Sequence, residues 1–203
     1  MYKKYCFPSV LVFVFCFFIT SSGFAQSSDS SMLSKGAKAP MFTTKATQAG
    51  NEFEFSLKKA LSKGPVVLYF FPAAYTGGCD LEAHTFAQLK NKFTAAGATI
   101  IGVSADGIQR LDTFSSDSSY CAGEFPVASD PGGKIAATYG LNLIPPQSGV
   151  KDVRGKPVNH GFIPRTTFVI NKKGNIVETF SSKRDKITPD EHVKRALAIV
   201  KGF

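Results

Sequence analysis

The sequence has no tryptophan, three histidines and four cysteines, and each scarcity narrows what the chain can be. Cys6 and Cys16 fall in an apolar N-terminal stretch, which leaves Cys79 and Cys121 for the remainder. A disulfide-dense small scaffold is therefore excluded, and a chain of 203 residues is long enough to bury a core without such staples. His84, His160 and His192 are far apart and not interleaved with cysteines at ligand spacing, so no zinc site is written in the order of residues. Long hydrophobic runs are also scarce. The longest, Val10 to Ile19, falls short of the roughly 20 apolar residues a spanning helix needs. Charge is not scarce but is scattered: Lys and Arg number 24 against 15 Asp and Glu, a net charge of +9. The basic residues come as separated pairs, Lys58-Lys59, Lys172-Lys173, Lys183-Arg184 and Lys194-Arg195. With no dense basic tract interleaved with aromatics, the pattern is that of a solvated surface rather than a nucleic-acid interface.

What is present begins with an address. Lys3 and Lys4, then the apolar run, then Gly23-Phe24-Ala25 have the order of a secretory signal peptide with a small-x-small cleavage site. Val14-Phe15 lacks the small residue expected before a lipidated cysteine, so Cys16 is not an anchor. The expectation is an exported protein, periplasmic if the source is a Gram-negative bacterium, with no stable membrane anchor once residues 1–25 are removed. Removal takes two lysines and no acid, so the net charge becomes +7 (22 minus 15). Residues 26–35 are Ser-rich and read as a flexible leader. Without internal repeats or a second linker, residues 36–203 form one domain.

Phe53 to Leu57 alternates apolar and polar residues, as a half-buried strand does. Pro65 to Phe71 is a continuous apolar run after a Gly-Pro turn and reads as a central strand buried on both faces, ended by Pro72. A loop to Gly78 follows. Cys79 then opens a helix with a stripe of Leu81, Phe86, Leu89 and Phe93, with Asp80 and Glu82 in its first turn, ended by Gly97. Further elements are a strand at 98–104, a short helix at 108–114, a Ser-rich stretch reaching Cys121, a short strand at 125–128, a turn at 130–133, and a short helix at 134–139. A loop-rich region at 140–164 leads into a strand at 165–171. A turn at 171–175 joins it to a strand at 176–180. Thr188, Pro189 and Glu191 have the spacing of a capping box opening a last helix. Alternating strands and helices, then a hairpin and a final helix, predict an α/β fold with a mixed central sheet flanked by helices.

Cys79 stands where the buried strand hands over to a helix. A helix N-terminus offers unpaired N–H groups and a partial positive charge, both of which favour thiolate over thiol, so a lowered thiol pKa is expected there. Gly77 and Gly78 permit close approach to the backbone, and Thr76 supplies a hydroxyl. Spacing alone leaves open that Cys79 is a small buried hydrophobe.

The octet Pro72-x-x-x-Thr76-x-x-Cys79 resembles the active-site signature of the peroxiredoxins, a thioredoxin-fold family of thiol peroxidases. Gly36-Ala37-Lys38-Ala39-Pro40-x-Phe42, Ile101-Gly102-Val103-Ser104, Phe125-Pro126-x-x-Ser129-Asp130-Pro131 and Arg165-x-Thr167-Phe168-Val169-Ile170 resemble further stretches of that family in the same order. The similarity covers nearly all of residues 32–202 and is greatest to the bacterioferritin-comigratory, or Q-type, branch. It implies a thioredoxin-like fold and reduction of hydrogen peroxide and organic hydroperoxides through a Cys79 thiolate and a sulfenic acid. It also implies that Thr76 hydrogen-bonds the peroxide, Pro72 shields the thiolate from water, Arg165 stabilises the thiolate and orients the peroxide, and Glu82 supports Arg165. No cofactor or metal is implied, the reductant is a thioredoxin-like protein or a small thiol, and relatives in this branch are often monomers. One departure stands out. Many Q-type members have a resolving cysteine five residues after the first, where this chain has His84. Cys121, 42 residues on, lies in a region where other members place that cysteine, which implies an intramolecular Cys79–Cys121 disulfide. A one-cysteine mechanism resolved by an external thiol is the alternative.

Rival chemistries meet absences. A thioredoxin-type dithiol needs cysteine at position 82, which is glutamate, and the related glutathione peroxidases use a tryptophan that this chain does not have. An exported thioredoxin-fold redox or metal-handling module without peroxidase activity remains as the alternative function, kept open by His160, which stands shortly before Arg165.

Overall fold

The computed structural model describes residues 32–203 together with the first two residues, so the signal-peptide reading of residues 1–25 lies outside the described residues. Among the described residues no helix is long and apolar enough to cross a membrane.

The elements run β1 (Thr43–Gln48), β2 (Asn51–Ser56), α1 (Leu57–Lys63), β3 (Val66–Phe70), α2 (Gly77–Ala95), β4 (Thr99–Ser104), α3 (Ile108–Ser116), β5 (Val127–Ser129), α4 (Lys134–Thr138), β6 (Thr166–Ile170), β7 (Ile176–Ser181), α5 (Ser182–Asp185) and α6 (Pro189–Val200). The strands form one seven-stranded sheet in the order β2-β1-β5-β4-β3-β6-β7. β3 pairs parallel with β4 and antiparallel with β6, which makes the sheet mixed and puts β3 near its middle. All five residues of β3 are buried, as its uninterrupted apolar sequence requires. Val66, Leu68 and Phe70 point to the layer that holds the apolar residues of α1 and α4, and Val67 and Tyr69 to the layer beneath α2, α3 and α6.

α2 buries Cys79, Glu82, Ala83, Phe86 and Phe93, positions that recur every three or four residues. The expected stripe is corrected at one point: Leu81 is 45% exposed. The helix turns its charged-looking edge inward instead, because Cys79 and Glu82 share a face that Leu81 cannot also occupy. Gly97 ends the helix with φ at 68°, a conformation that favours glycine.

Some local elements were not anticipated. Thr43–Gln48 carries no apolar alternation, yet it is a strand because β2 and β5 pair with its two edges. α1 buries Leu57, Ala60 and Leu61 at helical spacing, and Ser56 caps it, accepting from the Lys59 N–H at 3.5 Å. β5 begins two residues later than expected, because Pro126 has no N–H to give a ladder. Of the stretch read as a flexible leader, Met32 and Leu33 are held to the core. The Leu33 N–H donates to the Tyr139 carbonyl at 3.1 Å and the Thr179 hydroxyl to the Leu33 carbonyl at 3.0 Å, and Met32 and Leu33 pack against the core. α6 opens as predicted, with Pro189 first and the Glu191 carboxylate accepting from the Thr188 N–H at 2.9 Å.

Candidate active site

The loop from Pro72 to Thr76 joins the end of β3 to the start of α2 and carries Cys79 to a position 2% exposed. The Cys79 N–H donates to the Thr76 carbonyl at 2.7 Å and the Asp80 N–H to the same oxygen at 3.0 Å, so the first helical turn closes around the cysteine. Arg165 comes from a distant part of the chain. The β3–β6 register sets Phe70 opposite Thr166, which delivers the residue before β6 to the end of β3 where the loop begins. Its guanidinium fork is then used twice: Nη2 donates to the Cys79 sulfur at 3.1 Å, and Nη1 donates to the Glu82 carboxylate. Glu82 is fully buried and Arg165 nearly so. Gly78 makes room for this arrangement, since a Cβ there would lie 3.2 Å from the Arg165 Nη2 and 3.4 Å from Pro189. Pro72 is half-buried.

The electrostatics modify the expectation from sequence. Burial pushes the Cys79 thiol above its ordinary pKa, and Arg165 and the Thr76 hydroxyl pull against it. Helix position alone predicts a lowered thiol; desolvation is the larger effect here and acts on any thiolate at this depth. Arg165 is thus the principal opposing charge. It is itself held firmly protonated by Glu82 and the sulfur. Burial lifts Glu82 up to about 7, opposed by Arg165. The Thr76 hydroxyl has one proton, given to the Ala73 carbonyl at 2.7 Å, and a rotation would turn it toward the sulfur or an incoming oxygen.

Pro72, Thr76, Cys79, Glu82 and Arg165 are therefore brought together. Cys121 is placed differently. It lies in the turn after α3, fully buried and free, in the same apolar cluster as Cys79. Burial drives its thiol well above the ordinary range, and Asp80 and Asp117 drive it further in the same direction.

A second set of charged residues, of which the sequence singled out His160 alone, holds the loop that leads to Cys79. Asp106, just past the end of β4, accepts from the Ala74 N–H and the Ser104 hydroxyl, each at 2.7 Å. Its other oxygen meets His160 Nε2 at 2.7 Å and Arg110 at 2.9 Å. Arg110 also donates to the Ala74 carbonyl and to Asp152, and Asp152 binds Arg154, whose guanidinium lies 3.2 Å from the centre of the Tyr75 ring. Tyr75 sits at φ 61°, uncommon for a residue with a side chain, and the Val153 N–H fixes it by donating to its carbonyl. The signal that could have found Asp106 is its place after a buried strand, at the edge where α/β sheets gather their sites. His160, the residue that left a metal-handling role open, has both ring nitrogens engaged, with Asp106 and with the Gly161 carbonyl. Burial pushes its pKa down, but the Asp106 hydrogen bond and charge, with the Gly161 carbonyl, together hold it above the ordinary value. Among the described residues no group of three or more His, Cys, Asp or Glu could hold a metal ion.

Known proteins resemble this chain in sequence and in fold. The AhpC/TSA family profile matches residues 35–179. The chloroplastic Peroxiredoxin Q of Triticum aestivum is 32% identical over 172 residues, which cover 84% of this chain and 68% of that protein. The crystal structure of the peroxidoxin BcpB from Mycobacterium tuberculosis superposes with a TM-score of 0.69 at 29% identity, covering 84% of this chain and 98% of that one. A structure of the Xanthomonas campestris bacterioferritin comigratory protein, studied for its alkyl peroxide reduction activity, superposes with a TM-score of 0.59 at 27% identity, covering 78% of this chain and 90% of that one.

Proposed function

The chain belongs to the AhpC/TSA family of peroxiredoxins, and from that premise we propose that Cys79 is the residue that attacks the peroxide. The family fixes the reaction. The protein is an oxidoreductase of thioredoxin-like fold that reduces hydroperoxides with electrons from a thiol, and the relatives it matches include Q-type peroxiredoxins and bacterioferritin comigratory proteins.

In the proposed cycle the Cys79 thiolate attacks one peroxide oxygen. A sulfur–oxygen bond forms, the oxygen–oxygen bond breaks, and hydroxide or alkoxide leaves and takes up a proton. Cys79 is left as a sulfenic acid, two electrons more oxidised. Negative charge spreads over sulfur and both oxygens during this displacement. The donor best placed to stabilise it is the Arg165 Nη2, at 3.1 Å from the sulfur, and that contact is the observation that carries the reading. Thr76 would bind the departing or attacking oxygen, Pro72 would wall off water, and Glu82 keeps the guanidinium aimed. The Cys121 thiol then attacks the sulfenic sulfur: a disulfide forms and water leaves. Because Cys121 is fully buried, this step needs local opening of α2's first turn or of the Ser115–Ser119 flank. A thioredoxin-like protein or small thiol would reduce the disulfide. Organic as well as hydrogen peroxide would serve as oxidant, in keeping with the alkyl peroxide activity studied in the Xanthomonas protein. The signal-peptide reading favours action outside the cytosol, and the resemblance to the Q-type branch favours a monomer.

The test is hydrogen peroxide consumption with dithiothreitol, comparing the chain from residue 26 onward with its Cys79→Ser variant. Turnover lost in the variant supports the assignment. Turnover retained in it moves the reactive thiol elsewhere. Peptide mapping of the oxidised protein tests the second step, for which a cross-linked Cys79–Cys121 peptide is expected.

A further inference from the structure

The starts of β3, β4 and β7 and the end of β6 share one edge of the sheet, since Val66 pairs with Thr99 and with Ile170, and Ile170 with Ile176. Cys79 and Arg165 belong to the opposite edge, beyond Phe70 and before Thr166. Lysines that stand apart in the sequence meet at the first edge. Lys58, Lys172 and Lys173 line one hollow with Met41. Lys63 joins Lys172 and Lys173 around a second with Phe203, and Lys92 and Lys201 line a third that also takes in Phe203. All six lysines are exposed, and none of them is in an ion pair among the described residues. Among the described residues no aspartate or glutamate lines any of the three hollows. Met41 is 52% exposed and Phe203 58%, so two apolar side chains stand among the ammonium groups.

Helix geometry explains part of this charge. Lys63 and Lys92 fall in the last turns of α1 and α2, and Lys201 caps α6, where a cation answers the negative end of a helix. It does not explain Lys58 in the first turn of α1, where the dipole disfavours a cation, or Lys172 and Lys173 in the turn between β6 and β7. Like charges gathered without counter-charges repel one another, and an anionic partner would relieve that repulsion.

We propose that this lysine-rich pole docks reversibly on an anionic lipid surface: the six ammonium groups meet headgroup phosphates, while Met41 and Phe203 enter the boundary between headgroups and acyl chains. The exposed apolar pair favours lipid over a soluble polyanion, which offers a methionine and a phenylalanine nothing to be buried in. A second copy of the same pole is repelled by its charge. The five residues of β3, roughly 17 Å of strand, separate the pole from the loop that carries Cys79. The docked protein therefore holds Cys79 on the side facing water.

Sedimentation with lipid vesicles measures the binding, using the chain from residue 26 onward, which contains every described element. Vesicles of phosphatidylglycerol and phosphatidylcholine in equal parts should carry the protein down, and phosphatidylcholine alone should not. Binding should fall as salt rises from about 0.05 to about 0.5 M. Lys172→Glu together with Lys173→Glu should weaken it by roughly 10²-fold or more, since each lysine near an anionic surface contributes roughly fivefold. Phe203→Ser, which leaves every side-chain charge in place, should weaken it roughly tenfold. Lys134→Glu together with Lys183→Glu makes the same change in net charge at the catalytic end of the sheet, past the ends of β5 and β7. That pair should leave binding within about twofold. Urea midpoints matching the parent's show that the variants are folded. Equal weakening by the two lysine pairs would reduce the effect to net charge and overturn the proposal. So would equal binding to both kinds of vesicle, or binding to neither. Full binding by Phe203→Ser would leave a purely electrostatic site and overturn the lipid assignment. Capture of poly-glutamate by a protein that ignores vesicles would give the pole to an acidic polypeptide instead.

Discussion

Cys79 and Cys121 share one apolar cluster and nearly equal burial, yet their surroundings have opposite sign. Desolvation disfavours the thiolate at both. At Cys79 it is answered by a guanidinium in hydrogen-bond contact with the sulfur. At Cys121 it is reinforced by Asp80 and Asp117. The difference teaches that at equal depth the sign of the charged neighbours separates the two thiols. In the proposed cycle it makes Cys79 the thiol that meets peroxide and keeps Cys121 protonated until a sulfenic acid is there to attack.

The comparison breaks most severely at Arg165. Arg165→Met should lower kcat/KM for peroxide by roughly 10²- to 10³-fold, the effect of removing one donor aimed at developing charge. It should also move the pH inflection of Cys79 alkylation upward, since the principal opposing charge is gone. Alkylation measured in a Cys121→Ser background gives this directly, and an unchanged inflection would contradict the role assigned to the guanidinium. Glu82→Ala should be nearly as damaging to folding. It leaves a nearly buried guanidinium without its carboxylate, a change that costs about 3 kcal/mol in urea unfolding. Asp106→Ala should cost about 2 kcal/mol by leaving the Ala74 N–H, His160 and Arg110 without their shared acceptor. It should also slow peroxide reduction although Asp106 touches neither sulfur, and full activity in a folded variant would remove the clamp from the catalytic account.

A finer test asks how much positive charge the Cys79 side tolerates. His192 is buried behind Arg165, hydrogen-bonded to Thr167 at 3.0 Å and Ser182 at 2.9 Å, and burial and Arg165 lower its pKa to about 4. The folded state therefore prefers the neutral ring. The stability this confers is present above pH ~6.5 and is lost as pH falls toward 4, a decline of up to about 3 kcal/mol. In His192→Gln that part of the acid decline should flatten. The smallest expected effect is at Gly77, where a Cβ would meet nothing within 4 Å. Gly77→Ala should leave activity within roughly twofold, whereas Gly78→Ala, which crowds Arg165, should not.

The sequence by itself determined the mixed α/β order, the central strand and the Cys79 helix, because those rest on local signals: an unbroken apolar run, a proline stop, and a capping box at Thr188. The family signature added Thr76, Pro72 and Arg165. It was silent or wrong where pairing across the chain decides. Thr43–Gln48 became a strand only through its two neighbours, and Leu81 lost its place on the buried face to Glu82. The resemblance implied that Arg165 serves Cys79, and the tertiary structure supplies the means, since the β3–β6 register brings the two together across 86 residues. Tertiary structure alone decided that Asp106 clamps the loop before Cys79. The physical reason is the same in each case. Charge and desolvation act through space, so a side chain's identity is fixed by its codon while its electrostatic neighbours are fixed only when the sheet and its loops close.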